Sequence, residues 1–279
     1  MHYRIILRIL GILLMVFSLT MIPPAIVSHI YKDGVYSIFY LCLAITFTTG
    51  LMFWLPAYNV KAELRTRDGF VVTVMFWLVL SIFGSIPFVL SQVPHLTIVD
   101  AVFESMSGLT TTGATVITGI DELPKSILYY RQQLQWLGGM GIIVLAIAIL
   151  PLLGIGGMQL FAAEAPGPSA DKLHPRITDT AKRLWLIYFG YTAAETLLLK
   201  LAGMSFFDAI NHSMATLSTG GFSTKNASIA YWNGQPIIQY IIMLFMFLAG
   251  ANFVLSYFAF KGKVQKIIND EEFKLYFKF

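Results

Sequence analysis

At 279 residues the chain has the length of a one- or two-domain soluble protein, but 57% of it is drawn from AVILMFWYC and 12% is charged, against roughly 25% charged in soluble chains. With a mean hydropathy of +0.71 it carries more apolar surface than one water-soluble core can bury, which excludes a soluble domain. The net charge of +4 does not indicate a nucleic-acid partner, because the basic residues sit in short clusters between apolar runs and report topology instead.

Crossing a hydrocarbon core of roughly 30 Å takes about 20 apolar residues. Six runs qualify: Ile5–Ile30, Val35–Tyr58, Phe70–Leu90, Ile127–Leu153, Leu184–Gly203 and Pro236–Phe260. None alternates as a strand does, so all are read as helices. The first follows Arg4 and Arg8, as a signal peptide would. Its apolar stretch is too long, however, and Met21-Ile22-Pro23-Pro24 stands where a small-residue cleavage site belongs, so an uncleaved anchor is expected. The single cysteine, Cys42, lies inside the second run, so no intrachain disulfide can form.

With the N-terminus inside, cytoplasmic segments hold 14 of the 19 Lys and Arg residues. The external side keeps five: Lys32, Lys125, Arg131, Lys200 and Lys225. That imbalance predicts both termini in the cytoplasm. The long inner linker contains the breaker Ala165-Pro166-Gly167-Pro168-Ser169.

Two external stretches, Thr97–Thr118 and Ser205–Thr224, are too short and too rich in Thr, Ser and Gly to cross. Each reads as a re-entrant segment: a short helix (about Ile98–Leu109 and Phe206–Leu217) followed by a non-helical return. Bare backbone at membrane depth survives where it is buried or lines a water-filled path. The stretches align without a gap at an offset of 108. Asp100–Thr115 lies over Asp208–Ser223 with seven of 16 positions identical, where unrelated segments share about one. Leu137-Gly138-Gly139 recurs as Leu248-Ala249-Gly250 in the following span. The fold class is therefore an all-α polytopic membrane protein. An N-terminal transmembrane hairpin (1–68) precedes a first helix–re-entrant pore loop–helix repeat (69–153). A cytoplasmic linker (154–183) leads to a second repeat (184–261) and a cytoplasmic C-terminal segment (262–279). Internal duplications of this kind mark transport folds, with the working site at the repeat interface.

The candidate site is the run ending each short helix: Thr110, Thr111, Thr112 and Gly113 in one, Ser218, Thr219, Gly220 and Gly221 in the other. These supply hydroxyls and backbone carbonyls without formal charge, the ligands that bind a dehydrated monovalent cation without trapping it. Gly113 and Gly221 permit backbone angles that turn successive carbonyls toward one axis. The negative ends of the short helices would face the same point, with Asp100 and Asp208 as caps or charges at their starts. Glu104 and His212 occupy equivalent positions and are expected to brace the loops from behind. Glu195 is expected to pair with Lys200 or with a neighbouring span. Gly138, Gly139 and Gly141 read as close helix contact, with a hinge as the alternative. Tyr129, Tyr130, Tyr231 and Trp232 fall where an interfacial belt is expected. The Lys261–Lys278 cluster reads as a positive-inside anchor or a docking surface. No activating motif surrounds Ser213, His212 or Glu104, so no enzymatic activity is expected.

The pair Ser105–Ala114 and Ser213–Ser223, with Gln135-Trp136-Leu137-Gly138-Gly139-Met140-Gly141, closely resembles the Trk/Ktr family of bacterial potassium transporters. The resemblance covers the whole chain. It implies a potassium-selective pore in the bacterial inner membrane, one filter strand per repeat, with Gly113 and Gly221 as the filter glycines. Potassium would be held at Thr111, Thr112, Thr219 and Gly220. It also implies a homodimer and a cytoplasmic nucleotide-binding regulatory subunit as partners, the transported potassium ion in place of any cofactor, and no nucleic acid. The family pore has four repeats in one chain, whereas two are present here, ending at Leu275-Tyr276-Phe277-Lys278-Phe279. A truncated chain is expected. The alternatives are a two-pore-domain-like channel completed by homodimerisation and a non-conducting fragment.

Overall fold

The computed structural model describes residues 3–59, 66–141, 177–251, 253–262, 265 and 268–278, and among them the regular structure is helical throughout. Helix α1 (Tyr3–Ser18) passes through a 3-10 turn at Leu19–Met21 into α2 (Ile22–Tyr31), making one apolar span of 29 residues. The bend follows from Pro23 and Pro24, which have no N–H to continue the ladder. The groups they free are satisfied elsewhere. The Ile22 N–H donates to the Leu19 carbonyl oxygen, and Gln133 Nε2 donates to that of Thr20 at 2.7 Å.

Helix α3 (Tyr36–Trp54) returns along α1, and α4 (Thr66–Leu90) completes a bundle with them. These contain the three spans among the described residues that are long and apolar enough to cross a membrane: Tyr3–Tyr31, Tyr36–Ala57 and Asp68–Leu90. The short helix α5 (Ile98–Leu109) packs on α4, and α6 (Lys125–Gly139) packs on α2 and α5. The inner half of the expected fourth span, from residue 142, lies outside the described residues, as does the linker through residue 176. Helix α7 (Ile177–Leu201) is long enough to cross but holds Lys182, Arg183 and Glu195 and is less apolar than the first three. The second short helix, α8 (Phe206–Leu217), packs on both α7 and α6. Helix α6 therefore touches both short helices.

The expected sixth span is broken. Helix α9 (Pro236–Gly250) ends where Ala251 turns extended (φ −77°, ψ 150°), and α10 (Phe253–Phe260) starts anew. Fifteen residues span about 22 Å, short of the hydrocarbon thickness. A final helix, α11 (Glu271–Lys278), folds back so that the Tyr276 hydroxyl reaches the Phe247 carbonyl oxygen at 3.1 Å.

Asp33, between α2 and α3, ties the hairpin to the first repeat. Its carboxylate accepts the Ser28 hydroxyl, the Val35 N–H at 3.3 Å and the Ser126 N–H at 2.9 Å in the first turn of α6. Burial pulls this carboxyl upward, but the hydrogen bonds outweigh it and hold it below its ordinary value of 3.8. Two aromatics expected in an interfacial belt are core residues instead. Tyr130 is fully buried between Phe39 and Phe88 and donates to the Gly84 carbonyl oxygen at 2.8 Å. Trp232 is buried edge-on against His212. A belt assignment reads position along the chain, whereas the tilt of each helix face decides exposure.

Candidate functional site

The two short helices begin alike. Thr97 and Ser205 are the N-caps, accepting the N–H of Asp100 at 3.2 Å and of Asp208 at 3.0 Å. Each cap hydroxyl in turn donates to the aspartate, at 2.7 and 2.6 Å. The cap is thus the hydroxyl residue, and the aspartate three positions later accepts the cap's own hydroxyl proton.

They also end alike. In α5 the Thr111 N–H bonds the Gly108 carbonyl oxygen at 3.0 Å and the Thr112 N–H that of Ser107 at 2.9 Å. In α8 the Thr219 N–H bonds that of Thr216 at 3.0 Å and the Gly220 N–H that of Ala215 at 2.9 Å. This is the Schellman pattern, which requires a left-handed residue just past the helix. Thr111 (φ +55°) and Thr219 (φ +54°) supply it, and Gly113 (φ +77°) and Gly221 (φ +84°) turn the chain again two residues on. A left-handed threonine is strained, and strain of this kind collects at functional sites.

Both ends converge on α6. A Cβ on Gly138 would overlap the carbonyl oxygen of Leu109, and one on Gly139 would lie 2.8 Å from Cα of Ser218. Close helix approach is therefore what these glycines provide. Around them a cavity of about 370 Å³ is lined by Leu109, Thr110 and Thr111 and by their equivalents Leu217, Ser218 and Thr219. The negative ends of both short helices border it. Beyond the cavity the two strands come together, since a Cβ on Gly113 would run into the Gly220 carbonyl oxygen.

The family follows from direct comparison. The sequence pattern of TrkH, described as a cation transport protein, matches residues 36–279. The chain belongs to the TrkH cation transport family. The Trk system potassium uptake protein TrkH of Escherichia coli K12 is 52% identical over 278 residues, 99% of this chain and 57% of that protein. The TrkH of Halomonas elongata is 55% identical over 264 residues, 94% of this chain and 55% of that protein. The crystal structure of the potassium transporter TrkH from Vibrio parahaemolyticus matches with a TM-score of 0.84 at 46% identity, covering 98% of this chain and 56% of that one. The chain spans a little over half the length of these relatives.

Behind the loops, this TrkH-family chain holds a buried polar layer. Glu104 accepts Thr115 Oγ1 at 2.9 Å and the Val116 N–H at 3.1 Å, bracing the returning strand. Its charge is met by Arg131 of α6, whose Nη2 lies 2.8 Å from Glu104 Oε1 with both side chains fully buried. Counting Arg131 among the external charges is thus corrected. It is buried against Glu104 rather than exposed at an outer surface. The signal that could have found it was the pairing of one buried acid with a lone basic residue at the start of an apolar run.

In the second repeat His212 takes the place of Glu104, with the Ser223 and Thr224 hydroxyls each 3.4 Å from Nε2. Thr224 donates onward to Asp208 at 2.6 Å. Glu195 does not pair with Lys200, which is exposed. It is buried on α7 near the Thr216 hydroxyl of α8, but that hydroxyl donates to the His212 carbonyl oxygen at 2.9 Å, and among the described residues neither Glu195 oxygen gains a hydrogen bond of normal geometry.

Proposed function

We propose that this chain supplies two walls of a potassium-selective pore, as part of the membrane subunit of a Trk-type potassium uptake system in the bacterial inner membrane. The observation that carries the reading is the recurrence of one backbone geometry at an offset of 108, with both copies opening on a single cavity. The names of the relatives support the choice of ion. The remaining walls are assigned to further repeats of the same design, in keeping with a chain that spans 57% of the Escherichia coli relative.

In this mechanism a potassium ion sheds water as it enters between the strands. Carbonyls and hydroxyls of Thr110–Gly113 and Ser218–Gly221 replace the lost hydration, with Thr111, Thr112, Thr219 and Gly220 nearest the ion. Neutral dipoles keep each site shallow enough for release. The cavity below lets the ion regain water beside the negative helix ends. An inside-negative potential contributes about 2.3 kcal/mol per charge per 100 mV toward entry. The distribution of Lys and Arg supports cytoplasmic termini. A homodimer working with a cytoplasmic nucleotide-binding subunit is the assembly that the family resemblance supports.

The test expresses the intact gene in cells without other potassium uptake routes and compares potassium with sodium uptake. Gly113→Ser and Gly221→Ser are expected to lower the potassium-to-sodium ratio. An unchanged ratio in both overturns the filter assignment.

A further inference from the structure

One helix of the first repeat holds the loop of the second. Arg131 and Gln135 lie one turn apart on the same face of α6, and both are fully buried. Gln135 Oε1 accepts the N–H of Phe222 at 3.1 Å. Arg131 Nη1 donates to the carbonyl oxygen of Ser223 at 3.4 Å, and its guanidinium lies 4.3 Å from the centre of the Phe222 ring. Two consecutive residues immediately after Gly221 are therefore gripped by one turn of α6. The same guanidinium faces the first loop. Its Nε donates to Glu104 Oε1 at 2.8 Å and its Nη2 to Thr115 Oγ1 at 3.0 Å, on the strand that follows Gly113. The fork of an arginine suits this, since its donors point in fixed and different directions.

The arrangement runs one way only. By the helix alignment that sets Leu137-Gly138-Gly139 over Leu248-Ala249-Gly250, an offset of 111, Arg131 corresponds to Ile242 and Gln135 to Met246 on α9. Neither can make a polar grip, and Met246 is exposed. The change from Glu104 to His212 accompanies the change from Arg131 to Ile242, so the second repeat lacks both members of the ion pair. A brace needed merely to fold a loop would be expected in both repeats. This one is present where the two loops must be set against each other.

We propose that Arg131 and Gln135 are positioning residues that fix the second filter strand relative to the first, and that ion selectivity depends on them although neither belongs to the filter runs. This rests on the filter reading above. A filter discriminates ions through the number and placement of its oxygens, so a grip on residues 222 and 223 acts on Gly220 and Gly221 through the chain.

The experiment measures the potassium-to-sodium uptake ratio for variants made in the intact gene. Gln135→Asn withdraws the acceptor by one methylene, Arg131→Lys keeps the charge but loses the fork, and Glu104→Gln with Arg131→Met removes both charges together. The ratio does not depend on how much protein reaches the membrane, so reduced accumulation leaves it readable. Gln135→Asn and the double variant are expected to lower the ratio about fivefold, the scale of one lost hydrogen bond. Arg131→Lys is expected to lower it as well while Glu104 remains paired. Gly221→Ser runs alongside. If it lowers the ratio while Gln135→Asn, Arg131→Lys and the double variant keep the wild-type value, the positioning role is wrong and the filter stands. If none of them changes it, the filter reading has failed too.

Discussion

Thr111 and Thr219, 108 residues apart, hold the same left-handed backbone, with φ of +55° and +54°. A β-branched residue in this conformation costs roughly 1–2 kcal/mol, and glycine commonly takes the position at a helix end. Both repeats accept the strain at the same place. Thr111→Gly and Thr219→Gly are expected to raise the melting temperature of the purified protein by the equivalent of about 1 kcal/mol each. Potassium selectivity is expected to fall in the same variants. A lower melting temperature would show that the threonines are not strained.

Gly113 and Gly221 look interchangeable in sequence but differ in surroundings. A Cβ at Gly113 meets the Gly220 carbonyl oxygen, while at Gly221 none of the described residues comes within 4 Å. Gly221→Ala therefore bears only the backbone strain, about 1 kcal/mol. Gly113→Ala must also push the two strands apart. Uptake is expected to survive in Gly221→Ala at a reduced rate and to be nearly abolished in Gly113→Ala. Equal loss in parallel flux assays would count against the close approach of the strands.

Gly138→Ala is expected to lower stability by about 1–3 kcal/mol, the range for overpacking. The atoms its Cβ would meet are backbone atoms of Leu109 and cannot turn aside. Gly141→Ala is the control, since its Cβ would lie 3.1 Å from the tip of the Trp77 ring, a side chain that can yield. Comparing thermal unfolding of the two variants in detergent checks this, and a hinge role for Gly138 would instead leave stability unchanged.

Among the described residues, Asp33 gives the one pH dependence outside the spans. Its folded-state value lies below the ordinary 3.8, so its contribution to stability is fully present above that value and is lost as pH falls through the folded value. Melting temperatures of the native protein and Asp33→Asn should differ by a constant amount between about pH 5 and 8. The gap should close below about pH 4, and a gap that widens there would reverse the sign of the shift.

Much of the architecture was legible from local pattern. The bounds 98–109 and 206–217 for the short helices match the observed α5 and α8. Each is set by a hydroxyl cap, an aspartate three residues later and a Thr/Ser-Gly run at the end. Caps, turns and Schellman ends involve atoms within about six residues of one another. Equal local sequences therefore produce equal local backbone, and a duplication in sequence becomes a duplication in φ. The broken sixth span was less legible, because Gly250 and Asn252 flank Ala251 but apolar residues resume at Phe253, so the run reads as one.

Contacts between distant segments were not available to local pattern. Arg131 reads as an external charge until α5 and α6 pack together and bring Glu104 within 2.8 Å. Gln135 is an ordinary polar residue until α8 docks beside it and presents the Phe222 N–H. Tyr130 is an interfacial aromatic until α3 and α4 close over it. Hydrogen-bond donors and apolar periods encode each helix and each loop turn, because those are satisfied within the segment. Which faces meet depends on how the helices fill space together, and on glycines whose missing side chains admit a neighbouring backbone. The chain order thus writes two similar loops, and packing around α6 makes them two walls of one cavity.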